Sequence, residues 1–161
     1  GIVATNARRR EQAQVSSDRP VCLIGGNAPP DTRLHAMIEG AGWAGAGDTL
    51  SESWSRLGPL VAEGSADPFA AIARQLHERT EGNRAFFDRG SAIVAEAKRS
   101  GASAALLWYA EEEEAQVWHI PEQRRALADA NIPTLLLTRR DWRAQDGVDQ
   151  EIQTFLKEIA A

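Results

Sequence analysis

The residue types best suited to chemistry gather in three short stretches. The first is Gly25-Gly26-Asn27, followed by Ala28-Pro29-Pro30. Paired glycines let a backbone approach a ligand closely, and a helix starting just beyond would offer its N–H groups to an anion. The stretch is neither a GxGxxG fingerprint nor a P-loop, which also needs Lys and Ser or Thr, so a plain strand-to-helix turn is the simpler reading. The second stretch is Glu111-Glu112-Glu113-Glu114. Four adjacent carboxylates repel one another. Either one of them serves as acid, base or metal ligand, or the run forms a solvated first helical turn whose dipole offsets the charge, which is the reading we favour. A hard-metal site would want further oxygen ligands. Only Asp141, in the third stretch from Thr138 to Trp142, is an obvious donor.

Other reactive types are scattered. His35, His77 and His119 form no HxxxH-type pair and read as surface or helix-end residues. The sequence contains one cysteine, Cys22, inside an apolar run, where a buried and unreactive thiol is expected. One thiol closes no internal disulfide and holds neither a structural zinc nor an iron–sulfur cluster alone. A reducing, cytoplasmic setting is the expectation. No nucleophile-elbow pattern supports a Ser-His-Asp arrangement. Trp43, Trp54, Trp108, Trp118 and Trp142 suit core or contact roles better than a pocket lining.

The elements that must position these residues alternate in kind. Val21-Cys22-Leu23-Ile24 is apolar on both faces, as a central parallel strand covered by helices must be. Asp31 or Thr32 can cap a helix carrying Leu34, Met37, Ile38 and Ala41, ended by Gly42. Trp43 to Gly47 is expected to form a short, weak strand. Leu50, Trp54, Leu57 and Leu60 suggest a loose helical stretch. Asp67-Pro68 opens a further helix with Phe69, Ile72, Ala73 and Leu76 on one face, broken at Glu81-Gly82-Asn83. A longer helix is expected from about Arg84 to Ser100, burying Phe86, Phe87, Ile93, Val94 and Ala97. Ala104 to Tyr109 is the third strand. The glutamate run then leads into a helix ending near Asn131, with Val117, Ile120, Leu127 and Ala128 inward, and Thr134 to Thr138 is the last strand. The closing helix carries Ile152, Phe155, Leu156 and Ile159. This alternation predicts a three-layer α/β fold of Rossmann or flavodoxin-like type: a mostly parallel four-stranded sheet, helices on both faces and right-handed crossovers. Ligands in such sheets bind beyond the carboxyl ends of the strands, where all three stretches fall.

Bulk properties narrow the classes. With 161 residues the chain fits one domain with a real core. A net charge of −5 speaks against a nucleic-acid footprint, and the run Arg8-Arg9-Arg10 reads as a solvated helix end or tail. No apolar run is long enough for a membrane span, and no signal peptide is visible. Residues 1–19 are polar and read as a linker or helix remnant of an upstream domain, with the α/β domain over 20–161. The start at Gly1 rather than Met fits a piece of a longer polypeptide.

The ordered set of motifs resembles one family. Val21 to Gly26 is similar to its strand ending in Gly, and Gly40-Ala41-Gly42 to its following turn. Gly47-Asp48, a segment with Arg56, and Asp67-Pro68 with Ala71-Ile72-Ala73-Arg74 continue the likeness. Arg89 falls where the family has an arginine upstream of its third strand, matched here by Ala105 to Tyr109. Pro121, and Asn131-Ile132-Pro133 leading into Thr134 to Leu137, extend it to Asp141, Gln150 and Phe155. The chain so resembles the C-terminal domain of the 2-hydroxyacyl-CoA dehydratase and benzoyl-CoA reductase D-component family over roughly residues 20–160.

That resemblance implies one-electron chemistry on acyl-CoA thioesters, [4Fe-4S] clusters between related subunits, and an ATP-driven activator. It also implies contact with an upstream domain or a related subunit, in a homo- or heterodimer, with acyl-CoA as the small-molecule partner. The family's cluster cysteine sits shortly before the proline matched by Pro121, and that position falls near Glu113. Carboxylate substitutes poorly for thiolate at such a cluster, so no cofactor and no metal is expected in this segment, and the domain alone is not expected to catalyse. The substrate-binding candidates are Gly25, Gly26, Asn27 and Glu113, with Arg56 and Arg89 as anion or structural partners. The alternative is a non-catalytic binding or assembly module that kept the fold and lost the cluster.

Overall fold

The computed structural model describes residues 18–55, 60–78 and 87–160. Four strands form one all-parallel sheet: β1 (Val21–Gly26), β2 (Ala44–Ala46), β3 (Ala102–Ala110) and β4 (Thr134–Arg140), in the order β2-β1-β3-β4. The helices are α1 (Arg33–Gly40), α2 (Leu50–Ser55), α3 (Pro68–Glu78), α4 (Arg89–Ser100), α5 (Ile120–Asp129) and α6 (Val148–Ala160). The expected α/β class, the parallel sheet and the weak second strand are all present. Most of the expected linker over residues 1–19 lies outside the described residues, as do Arg56, Leu57, the break at Glu81-Gly82-Asn83, and Phe86.

Side chains that alternate along each strand split the core into two layers. Cys22, Ile24, Ala104, Leu106, Trp108 and Leu137 pack against Leu34 and Ile38 of α1 and Val148, Ile152 and Leu156 of α6. Leu23, Ala105, Leu107 and Tyr109 pack on the other side against Ile93 and Ala97 of α4 and Leu127 of α5. Leu107, Leu127, Leu137 and Leu156 are fully buried. Each contributes about 1.5–3 kcal/mol, enough to hold two helices on each face. The helices packed on the sheet run back along it, so the N-termini of α1, α4, α5 and α6 lie at the carboxyl rim.

Three elements differ from expectation. α4 begins at Arg89, because Asp88 is extended and accepts the Ser91 N–H at 2.9 Å. Phe87 therefore precedes the helix instead of riding on it. Gly101, in the left-handed region at φ 68°, ends α4 as a C-cap. In α5 Ala128 is exposed, and Gln123 takes the inward position one turn before Leu127. The third difference is the segment from α2 to α3. α2 buries no residue and α3 buries only Ala71. Phe69 is 83% exposed and Trp54 82%, with Leu60, Ile72 and Leu76 also exposed. The helical spacing is present, but among the described residues that apolar face covers no core.

Candidate functional site

β1 and β3 are neighbours whose crossovers leave in opposite directions, so the switch point of the sheet lies between their carboxyl ends. The sequence puts Gly26-Asn27 on one side of it and Ala110 to Gln116 on the other. The glycines are fixed by packing. A Cβ on Gly26, at φ +91°, would stand 2.3 Å from the Trp108 carbonyl oxygen. A Cβ on Gly25 would press on Ile93 and Leu107. These contacts bring β1 close to β3, and the Asn27 N–H donates to the Trp108 carbonyl at 2.8 Å.

Asn27 then bridges the gap with its side chain. Its Oδ1 accepts the Ala110 N–H at 2.9 Å, and its Nδ2 donates to Glu113 Oε2 at 2.6 Å. The Glu113 carboxylate also accepts the backbone N–H groups of Ala115 and Gln116, each at 2.8 Å, and the Gln116 side-chain amide at 3.2 Å. Partial burial pushes the Glu113 carboxyl up, but these donors outweigh it and hold the group below its ordinary value. Glu113 is therefore an ionised clamp with four donors. Two sequence candidates, Asn27 and Glu113, are joined in one unit.

The expectation that the glutamate run forms the first turn of a helix is corrected. Residues 111–114 lie in the turn after β3, a 3-10 turn follows at Val117–His119, and α5 starts at Ile120 with Pro121 at its head. Glu113 competes as a side-chain acceptor for the Ala115 and Gln116 amides, which favours a turn over a helix. Glu111, Glu112 and Glu114 are exposed, and Glu111 lies 3.6 Å from Arg139. Asp141 accepts the Arg143 N–H at 3.0 Å. Among the described residues, no three or more His, Cys, Asp or Glu side chains are grouped to hold a metal ion.

Beside the clamp, on the α4–α5 side, lies a pair that sequence reasoning missed. The Tyr109 hydroxyl donates to Gln123 Oε1 at 2.6 Å, and both residues are buried. Burial pushes the phenol up to about 12, against a lowering by the Arg89 charge. The available signal was a glutamine one turn before Leu127 on the apolar side of a helix. Arg89 stands at the head of α4, with its Cζ 5.1 Å from the centre of the Phe87 ring. The third stretch is stapled to α6 by Arg140, which pairs with Glu151 of that helix at 2.5 Å and with Asp146 of the preceding loop at 3.6 Å.

The remaining candidates are dispersed. Cys22 lies in the α1–α6 core layer, away from the Glu113 loop, and burial pushes its thiol up to about 12. His35 Nε2 lies 2.9 Å from the Gly47 carbonyl, and His119 is 3.8 Å from Glu122. Trp43 and Trp108 are core residues, whereas Trp118 and Trp142 are exposed at the carboxyl rim. The chain matches no protein-family model, and no curated protein matches it.

Proposed function

We propose that this chain is the C-terminal domain of a 2-hydroxyacyl-CoA dehydratase-like protein, acting as a contact and positioning domain for acyl-CoA chemistry and not catalytic alone. The order of elements agrees with the motif order that carries the resemblance. The observation that bears most weight is the Asn27–Glu113 clamp. It occupies the loop where the resemblance expects a cluster thiolate, and its carboxylate is already committed to four donors.

These residues do not fit an iron–sulfur cluster. Glu113 offers hard oxygen in place of soft sulfur. Cys22 is a protonated thiol enclosed in another layer. No step is therefore routed through a cluster here. The rim tethers the ends of β1 and β3, which would hold an acyl thioester and the facing subunit in register.

The second reading, an assembly module without acyl-CoA chemistry, is favoured by one feature: the exposed row Phe69, Ile72 and Leu76 on α3. Titration of the full-length protein with a 2-hydroxyacyl-CoA, after purification without oxygen, separates the two. Saturable binding is expected. A folded protein that gives no heat with the thioester would leave the assembly module as the better account.

A further inference from the structure

We propose that Arg89 anchors an anion site at the carboxyl rim between α4 and α5, taking a carboxylate or phosphate group. Three arginines among the described residues are half-buried: Arg33, Arg89 and Arg140. Arg33 has Asp31 at 2.6 Å, and Arg140 has Glu151 at 2.5 Å. Arg89 has no carboxylate within 4.0 Å among the described residues, and its Nε is buried without a hydrogen-bond partner.

Nearby carboxylates do not supply that partner. A Cβ on Gly90 would meet Glu122 at 3.2 Å and Asp88 at 3.3 Å, so both acids border the head of α4. Asp88 is turned to the Ser91 N–H and hydroxyl and also meets the Glu122 carboxyl, Glu113 is turned to its four donors, and Glu122 lies 3.8 Å from His119. No carboxylate among the described residues forms an ion pair with the Arg89 guanidinium. Leaving a buried guanidinium Nε without an acceptor is costly, and a planar fork of donors is best met by a two-oxygen anion. The Phe87 ring holds the guanidinium in place before any ligand arrives. Tyr109 and Gln123, bonded to each other, are buried nearby, and the Arg89 charge acts on the Tyr109 phenol. The site depends only on this corner of the molecule and not on the acyl-CoA reading.

Calorimetric titrations in low-salt Tris chloride test it, with inorganic phosphate and lactate as separate titrants. Wild-type protein is expected to bind at least one of them saturably, and which one identifies the source of the anion. Arg89→Gln is expected to weaken that binding by about tenfold or more, and Arg89→Lys by less. Ligand-free Arg89→Met is expected to melt close to wild type, because among the described residues no ion-paired or hydrogen-bonded partner is lost and the methionine keeps an apolar contact with the Phe87 ring. Failure of both titrants with wild type, equal binding by Arg89→Gln, or a clear fall in the Arg89→Met melting temperature would each overturn the assignment.

Discussion

Replacing Asn27 by alanine isolates the clamp. The substitution leaves the backbone bond to Trp108 and removes two side-chain bonds, one to the Ala110 N–H and one to the Glu113 carboxylate. A bond to a charged group contributes about 1.5–3 kcal/mol and a neutral one about 0.5–1.5 kcal/mol. Glu113 is only partly buried, so water replaces some of the lost donation, and the lower half of the first range applies. The expected loss is about 2–4 kcal/mol, or a fall of roughly 4–15 °C in melting temperature for a chain of this length. Urea unfolding followed by tryptophan fluorescence suits the measurement, since Trp108 is buried beside the gap. The midpoint should fall while the slope stays constant, because the surface exposed on unfolding is unchanged. Asn27→Asp should cost more than Asn27→Ala at pH 7, where two carboxylates face each other, and the excess should shrink toward pH 4. A loss below about 0.5 kcal/mol in Asn27→Ala would refute the clamp as a structural unit.

Three further outcomes follow from the same geometry. Gly26→Ala should destabilise by about 3 kcal/mol or more, or abolish soluble expression, because the new Cβ meets a backbone oxygen at positive φ; near-wild-type unfolding would contradict this. Asp88, held down to about 2 by the Ser91 hydroxyl and N–H, contributes stability that is full above its unfolded value of 3.8 and fades as pH falls toward 2. Asp88→Ala should therefore lower the melting temperature at pH 7 and converge with wild type near pH 2. Cys22 should resist alkylation in the folded protein at pH 8 and react fully in denaturant; native-state labelling would mean that the α1–α6 layer opens.

The fold was largely legible in the sequence because its signals are local. Runs such as Val21 to Ile24 and Ala104 to Tyr109 are apolar on both faces, which a covered parallel strand requires, and Asp67-Pro68 marks a helix start by cap chemistry alone. The site was legible only as separate parts. Asn27 and Glu113 stood out singly, but their bond spans 86 positions, and nothing in either neighbourhood encodes it. The glutamate run was placed in a helix because the dipole argument ignores side-chain competition for the Ala115 and Gln116 amides. The α3 face was recognised by its spacing, yet spacing says only that a face is apolar and not what lies against it. Gln123 was missed because it occupies one polar position in an otherwise ordinary helical pattern.

Iron and sulfide analysis of the full-length wild-type and Glu113→Ala proteins, purified in parallel without oxygen, tests the clamp most directly. A clamping Glu113 predicts equal iron and sulfide in both proteins together with a lower melting temperature in the variant. A specific loss of iron in Glu113→Ala at unchanged melting temperature would instead make this carboxylate a ligand.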